Sequence, residues 1–166
     1  MRLLLLALSV CLLTACGRLL MPTVEHDLGE LPQGNYALDP NHTTVLFKVE
    51  HLGISTFVGR FNEVAASLSF DPDNPQNSQL EARVDMASLD VDQPDFEETL
   101  RGCNWLCVER YPRARLVTRG PARINGDHWR YDAELSFRGV TQPVEIDVTF
   151  NGGVLVASRT VRFYST

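Results

Sequence analysis

The chain has 166 residues, a formal net charge of −6, a pI near 5.1 and 44% hydrophobic residues. That length suits one domain with a real core. An acidic chain without a basic run has no electrostatic footprint for nucleic acid, so no nucleic-acid partner is expected.

The first residues read as an export signal. Met1-Arg2 leads into an apolar run from Leu3 to Leu13, and a short basic start with a brief apolar stretch is the pattern of a secretory signal peptide. The run falls short of the ~20 residues that a bilayer-spanning helix needs. It stops at Leu13-Thr14-Ala15-Cys16-Gly17, which resembles the lipobox of bacterial lipoproteins. The expectation is cleavage before Cys16, acylation of its thiol, and membrane attachment through the N-terminal acyl chains. Loss of residues 1–15 removes the single charge of Arg2 and takes the net charge from −6 to −7. Residues 16–33, with Pro22, Gly29 and Pro32, read as a lipidated tether, and residues 34–166 as the folded domain. Gly17 is not an acidic retention residue, so a position at the outer membrane, facing the periplasm, is expected.

From residue 43 onward most of the chain alternates with period two, the pattern of half-buried strands. Val45, Phe47 and Val49 oppose Lys48 and Glu50. Ala66, Leu68 and Phe70 share a face before the turn Asp71-Pro72-Asp73-Asn74-Pro75. Leu80, Ala82, Val84 and Met86 follow, and 113–118 is a further candidate strand. Asn125-Gly126 predicts a type I′ hairpin with positive φ at both residues. Beyond it Trp129, Tyr131, Ala133, Leu135 and Phe137 share one face, and Val144, Ile146, Val148 and Phe150 another.

One segment departs from alternation. Phe96, Leu100, Cys103 and Cys107 lie three and four apart over 95–108, after Gln93-Pro94-Asp95, which predicts one short helix. Of the four cysteines, Cys11 leaves with the signal and Cys16 is acylated, leaving Cys103 and Cys107. In a compartment that permits disulfides these two are small apolar residues, a bridge or a redox or metal pair. Regular helical geometry aims them poorly for a bridge. Arg110, Arg113, Arg115, Arg119 and Arg123 read as a solvated strand face, and Asp90, Asp92, Asp95, Glu97 and Glu98 as solvated loop and helix-start positions.

Consecutive alternating strands with short turns describe an antiparallel meander, which must stack on another sheet or close on itself. A closed barrel of roughly eight strands encloses either packed side chains or one small ligand. No Gly-x-Ser-x-Gly elbow, phosphate loop or metal spacing occurs. The expectation is therefore a protein without catalytic residues, cofactor or metal.

Particular stretches say more than the pattern. The run Phe47-Lys48-Val49-Glu50-His51-Leu52-Gly53-Ile54-Ser55-Thr56-Phe57-Val58-Gly59-Arg60-Phe61 resembles the signature of the YceI-like family of polyisoprenoid-binding proteins. So do Leu68-Ser69-Phe70-Asp71-Pro72, Glu109-Arg110-Tyr111-Pro112, and the run from Leu135 through Arg138-Gly139-Val140 to Val144. The resemblance spans about Asn35 to Gly152. It implies an all-β, lipocalin-like antiparallel barrel with one short helix. Its apolar interior would hold an isoprenoid lipid, a polyprenyl phosphate or an isoprenoid quinone, in a periplasmic or secreted protein.

Strand parity then assigns the lining to Val45, Phe47, Val49, Leu68, Phe70, Val84, Met86, Leu135, Phe137, Val148 and Phe150, each of which could equally be ordinary core. His51 falls in the matched stretch as a polar group at the interior or the mouth. Gly53, Gly59 and Gly139 read as turn or bulge positions. Two departures stand out. The helical stretch Thr99-Leu100-Arg101-Gly102-Cys103-Asn104-Trp105-Leu106-Cys107 lacks the family's usual histidine and acidic pair. The chain also stops at Thr166, where relatives continue, so a barrel incomplete at the C-terminus is expected. Its open edge would invite a dimer or strand-pairing partner and lower stability. The alternative function is a structural lipoprotein with a filled core that docks a partner protein.

Overall fold

A computed structural model describes residues 24–126, 128–155 and 161–163. Cys16 and residues 1–15, expected to be an export signal, lie outside the described residues. Among the described residues, twelve strands and one α-helix follow in chain order: β1 (Val24–Glu25), β2 (Gly34–Ala37), β3 (Val45–His51), β4 (Ser55–Phe61), β5 (Val64–Phe70), β6 (Gln79–Asp85), β7 (Leu89–Asp90), α1 (Pro94–Arg101), β8 (Arg113–Asn125), β9 (His128–Phe137), β10 (Val140–Thr149), β11 (Gly153–Leu155) and β12 (Val161–Phe163).

All pairings are antiparallel. The main sheet has the order β10-β9-β8-β6-β5-β2, flanked by two three-stranded sheets, β3-β4-β7 and β1-β11-β12. The all-β architecture with one helix is as expected. Among the described residues, however, the three sheets do not join into one closed ladder.

Register in the main sheet carries the sequence alternation across strands. Tyr36 faces Leu68 and Leu68 faces Leu80. Ala66, Ala82, Leu116 and Leu135 form another row, and Ala133 pairs with Val144, Tyr131 with Ile146, and Trp129 with Val148. Because strand side chains alternate in direction, these residues share one apolar face. The opposite face is laced by ion pairs. Arg115 reaches Glu81 at 2.8 Å, Arg123 reaches Asp132 at 3.0 Å and Glu145 at 2.6 Å, and Arg130 reaches Asp147 at 2.6 Å. The arginines at 115 and 123 thus sit on an exposed face, each with a carboxylate partner.

The helix is shorter than the spacing predicts. It starts on Pro94, has Asp95 and Glu97 in its first turn and Arg101 in its last, and ends at Gly102, as expected from helix dipole and proline preferences. Residues 102–110 turn instead. Leu106 N donates to Leu100 O and Val108 N to Arg101 O, both at 3.0 Å, and Cys107 has a φ of 51°. This left-handed residue lets Cys103 and Cys107 form a disulfide, which a continuous helix would disfavour. Glu97 is not simply solvated: its Oε1 accepts from Val91 N at 2.9 Å, and Arg101 donates to Ala87 O at 3.0 Å and to Leu89 O. The helix is thereby fastened to the strand β7.

Two further expectations change. Asn125 ends β8 opposite His128, and it is Gly126 that takes positive φ, so Asn125 is a strand end rather than a central turn residue. Gly59 is mid-strand in β4, opposite Phe47. A Cβ there would collide with the Phe47 ring and with Val91, so this glycine admits an aromatic ring rather than making a turn. Gly53 and Gly139 do occupy turns, at φ 70° and 77°.

Residues 24–33, read above as tether, belong to the folded body. Val24 and Glu25 pair with Val154 and Gly153, and Leu31 is only 2% exposed.

Candidate functional site, an apolar groove beside a filled core

The interior divides into two regions. Toward α1, Phe61, Met86, Leu89, Val91 and Ala114 form a buried cluster with Val45, Phe47, Phe57 and Val84 packed against it. Phe47 and Phe61 lie 5.5 Å apart between ring centres. Of the residues assigned to a lining by parity, Val45, Phe47, Val84 and Met86 therefore sit in this filled core.

At the other end lies a groove of about 290 Å3. Its walls come from Tyr36 and Ala37 of β2, Ala66, Leu68 and Phe70 of β5, Trp129 and Tyr131 of β9, and Val148 through Asn151 at the end of β10. β2 and β10 are the two edges of the main sheet. Their meeting around one groove means that the sheet curls toward itself without its ladder closing. The segment 38–43 and Leu28 complete the rim.

Leu68, Phe70, Val148 and Phe150 line this groove. Leu135 is half-buried on the same sheet face, and Phe137, at the end of β9, is 40% exposed. Val49 is 53% exposed, and His51 is exposed at the end of β3 opposite Ser55, away from the groove. The groove also uses Trp129 and Tyr131, which parity placed on the face of Leu135 and Phe137 without selecting them and whose rings lie 6.4 Å apart, and Tyr36, which no sequence pattern singled out, edge-on to Phe70 at 6.1 Å.

The polar equipment of the groove is small. Tyr131 is 5% exposed, and burial pushes its phenol up to about 12 despite a hydrogen bond with Ser78. Ser78 Oγ donates to Pro75 O at 2.7 Å. Burial also raises the Tyr36 phenol, which donates to Pro32 O. At the rim Asp39 accepts from Asn41 N at 3.0 Å and pairs with His42 at 3.1 Å, and Thr43 Oγ1 donates to Asp39 O at 2.8 Å. No lysine, arginine or histidine stands among the described residues lining the groove. Nor, among the described residues, do three His, Cys, Asp or Glu side chains converge as metal ligands. The arrangement is suited to enclosing an apolar chain, with the phenols of Tyr36 and Tyr131 and the hydroxyls of Thr43, Ser67, Ser78 and Thr149 as its polar groups besides Asp39 and Asn151.

A curled antiparallel sheet with an apolar groove on its inner face is a lipocalin-like fold. Residues 36–164 match the YceI-like domain, and the chain belongs to that family. It is 34% identical over 131 residues to a UPF0312 protein of Shewanella denitrificans and 31% identical over 126 residues to one of Azotobacter vinelandii, covering 77% and 75% of this chain. It spans 65% and 66% of the length of those relatives. Among solved structures it resembles BcnA of Burkholderia cenocepacia, with a TM-score of 0.63, 20% identity and coverage of 70% of this chain and 77% of that one. It also resembles the YceI protein of Campylobacter jejuni, with a TM-score of 0.56, 25% identity and coverage of 71% and 69%.

Proposed function

We propose that this protein binds and carries an isoprenoid lipid, a polyprenyl phosphate or an isoprenoid quinone, with its tail in the groove between β2, β5, β9 and β10. The observation that carries this reading is an unfilled apolar groove beside a core that is otherwise packed. Its volume of about 290 Å3 stands at the small end of ligand pockets. Each buried CH2 contributes ~0.8 kcal/mol. A fully enclosed tail on the order of forty carbons would approach ~30 kcal/mol by that measure, past the ~20 kcal/mol at which non-covalent binding saturates. An open groove that covers only part of the tail keeps the grip releasable, as a carrier requires. Without a cation among the described lining residues, a phosphate head would stay in solvent at the rim.

The sequence supports a location for this activity. Cleavage before Cys16 and acylation of its thiol would hold the protein at the outer membrane, facing the periplasm, beside the lipids it carries. The role is non-enzymatic binding.

The test is native and lipid mass spectrometry of the exported chain with Cys16→Ser, recovered from a membrane-containing bacterial host. One isoprenoid per protein is expected, and Ala66→Trp, which fills the groove, should remove it. A clean unliganded mass, under conditions where a cargo-bearing relative keeps its lipid, would overturn carriage. It would favour a lipoprotein that docks a partner protein, to which the packed core at Val45, Phe47, Val84 and Met86 lends itself.

A further inference from the structure

The β3–β4 hairpin grows more exposed along its length. At its base Phe61 is buried and Val45 half-buried; further out Phe57 is half-buried beneath Phe96, 5.9 Å between ring centres. Val49, cross-strand from Phe57, is exposed, and at the tip Leu52 and Ile54 are each 81% exposed. Beyond Phe57 the inner face of the hairpin leaves the core.

The turn itself sharpens the point. Ile54 N donates to His51 O at 3.1 Å, and the central residues Leu52 and Gly53 have φ of 56° and 70°. Two positive φ values favour Asn-Gly or Gly-Gly; a leucine here bears a steric cost that Asn or Gly would relieve. The position thus holds an unfavourable residue for the turn and an unfavourable one for solvent. Strain and apolar exposure at one residue point to a role outside folding.

We propose that this tip is a membrane wedge: Leu52 and Ile54 enter the interfacial layer of a lipid bilayer. The size of the patch argues for lipid over protein. Two aliphatic side chains with Val49 behind them fall far short of the ~1,000 Å2 that a specific protein interface buries, whereas shallow, reversible insertion of an apolar face suits a membrane surface. The nearby charges oppose one another, with Lys48 and Glu50 on the same side of β3, so contact depends on apolar insertion and not on anionic lipid. The choice of a bilayer as the occupant rests on the carriage reading, since the cargo resides there.

The experiment uses the exported full chain with Cys16→Ser and vesicles of phosphatidylcholine alone, in a flotation assay. The tip variant is Leu52→Asn with Ile54→Ser. The parent should float with vesicles and the variant at least tenfold less, with little change between low and high salt. Because Asn suits the positive φ, Leu52→Asn alone should melt no lower than the parent, and the double variant's melt is recorded beside it, so a loss of flotation with a retained melt is not unfolding. Equal flotation of parent and variant, or none by the parent, overturns the wedge. So does concentration-dependent self-association that the variant abolishes and vesicles do not compete, which would assign the tip to a second copy. Tip-dependent flotation by a protein free of isoprenoid supports the wedge and removes carriage; bound isoprenoid without flotation does the reverse.

Discussion

Tyr131 shows how one residue serves both the sheet and the groove. Its backbone pairs with Ile146, and its phenol is buried against Ser78. Burial lifts its ionisation from 10 to about 12. A phenol that must stay protonated in the fold contributes fully below pH 10. That contribution is lost as pH rises from 10 toward 12, because the unfolded chain ionises first. Tyr131→Phe should lose about 1 kcal/mol near neutral pH with its hydrogen bond. It should also flatten an alkaline loss on the order of 2 kcal/mol. Urea unfolding at pH 7 and between pH 10 and 12 checks both effects. Period-two alternation placed Tyr131 and Trp129 on the face of Leu135 and Phe137, so their direction was legible in the sequence. Which members of that face meet the groove was not, because it depends on where the sheet curls. Gly59 is a similar case. Its presence in β4 was visible, but the ring of Phe47 that requires it comes from the neighbouring strand.

Among the elements, the junction of β4, β7 and α1 is set by polar contacts that local pattern does not reveal. Asp90 accepts from Asn62 Nδ2 at 3.0 Å, from Arg60 Nε at 2.8 Å and Nη2 at 2.7 Å, and from Asp92 N at 3.1 Å. The Asn62 and Arg60 hydrogen bonds, with that from the Asp92 backbone, hold its carboxyl at about 2, below the ordinary 3.8. A depressed carboxylate contributes stability above pH 3.8 that is lost as pH falls through 2. Asp90→Asn should therefore be less stable than the parent at pH 7, and the gap should narrow between pH 4 and pH 2. Thermal melts across that range would detect it; a gap that does not change with pH would mean that charge plays no part. The helix illustrates the opposite lesson. Its start at Pro94 and its apolar spacing were readable, but its end was overrun, because Gly102 and the left-handed Cys107 replace the last turn with a disulfide-closed loop.

At the scale of the molecule, the segment before β2 is the clearest gain from the structure. Leu31 is among the largest fully buried side chains, and its Cδ2 stands 2.7 Å from where a Cβ on Gly153 would lie. Leu31→Ala should destabilise the whole fold by about 2–5 kcal/mol, measured by equilibrium denaturation. A change near zero would return residues 24–33 to the status of tether. The sequence by itself determined β3, β5, β6, β9 and β10 and the turns at Gly53 and Gly139, because these rest on local φ preference and on period-two patterning along single segments; the family followed from the resemblance of particular stretches. Tertiary structure alone decided which half of the apolar interior is filled and which is open. That division arises from contacts between distant segments: Met86, Leu89 and Ala114 close over Phe61 at one end, while the edges β2 and β10 approach without pairing at the other. An apolar residue looks the same in sequence whether its neighbour across the interior is another side chain or empty space.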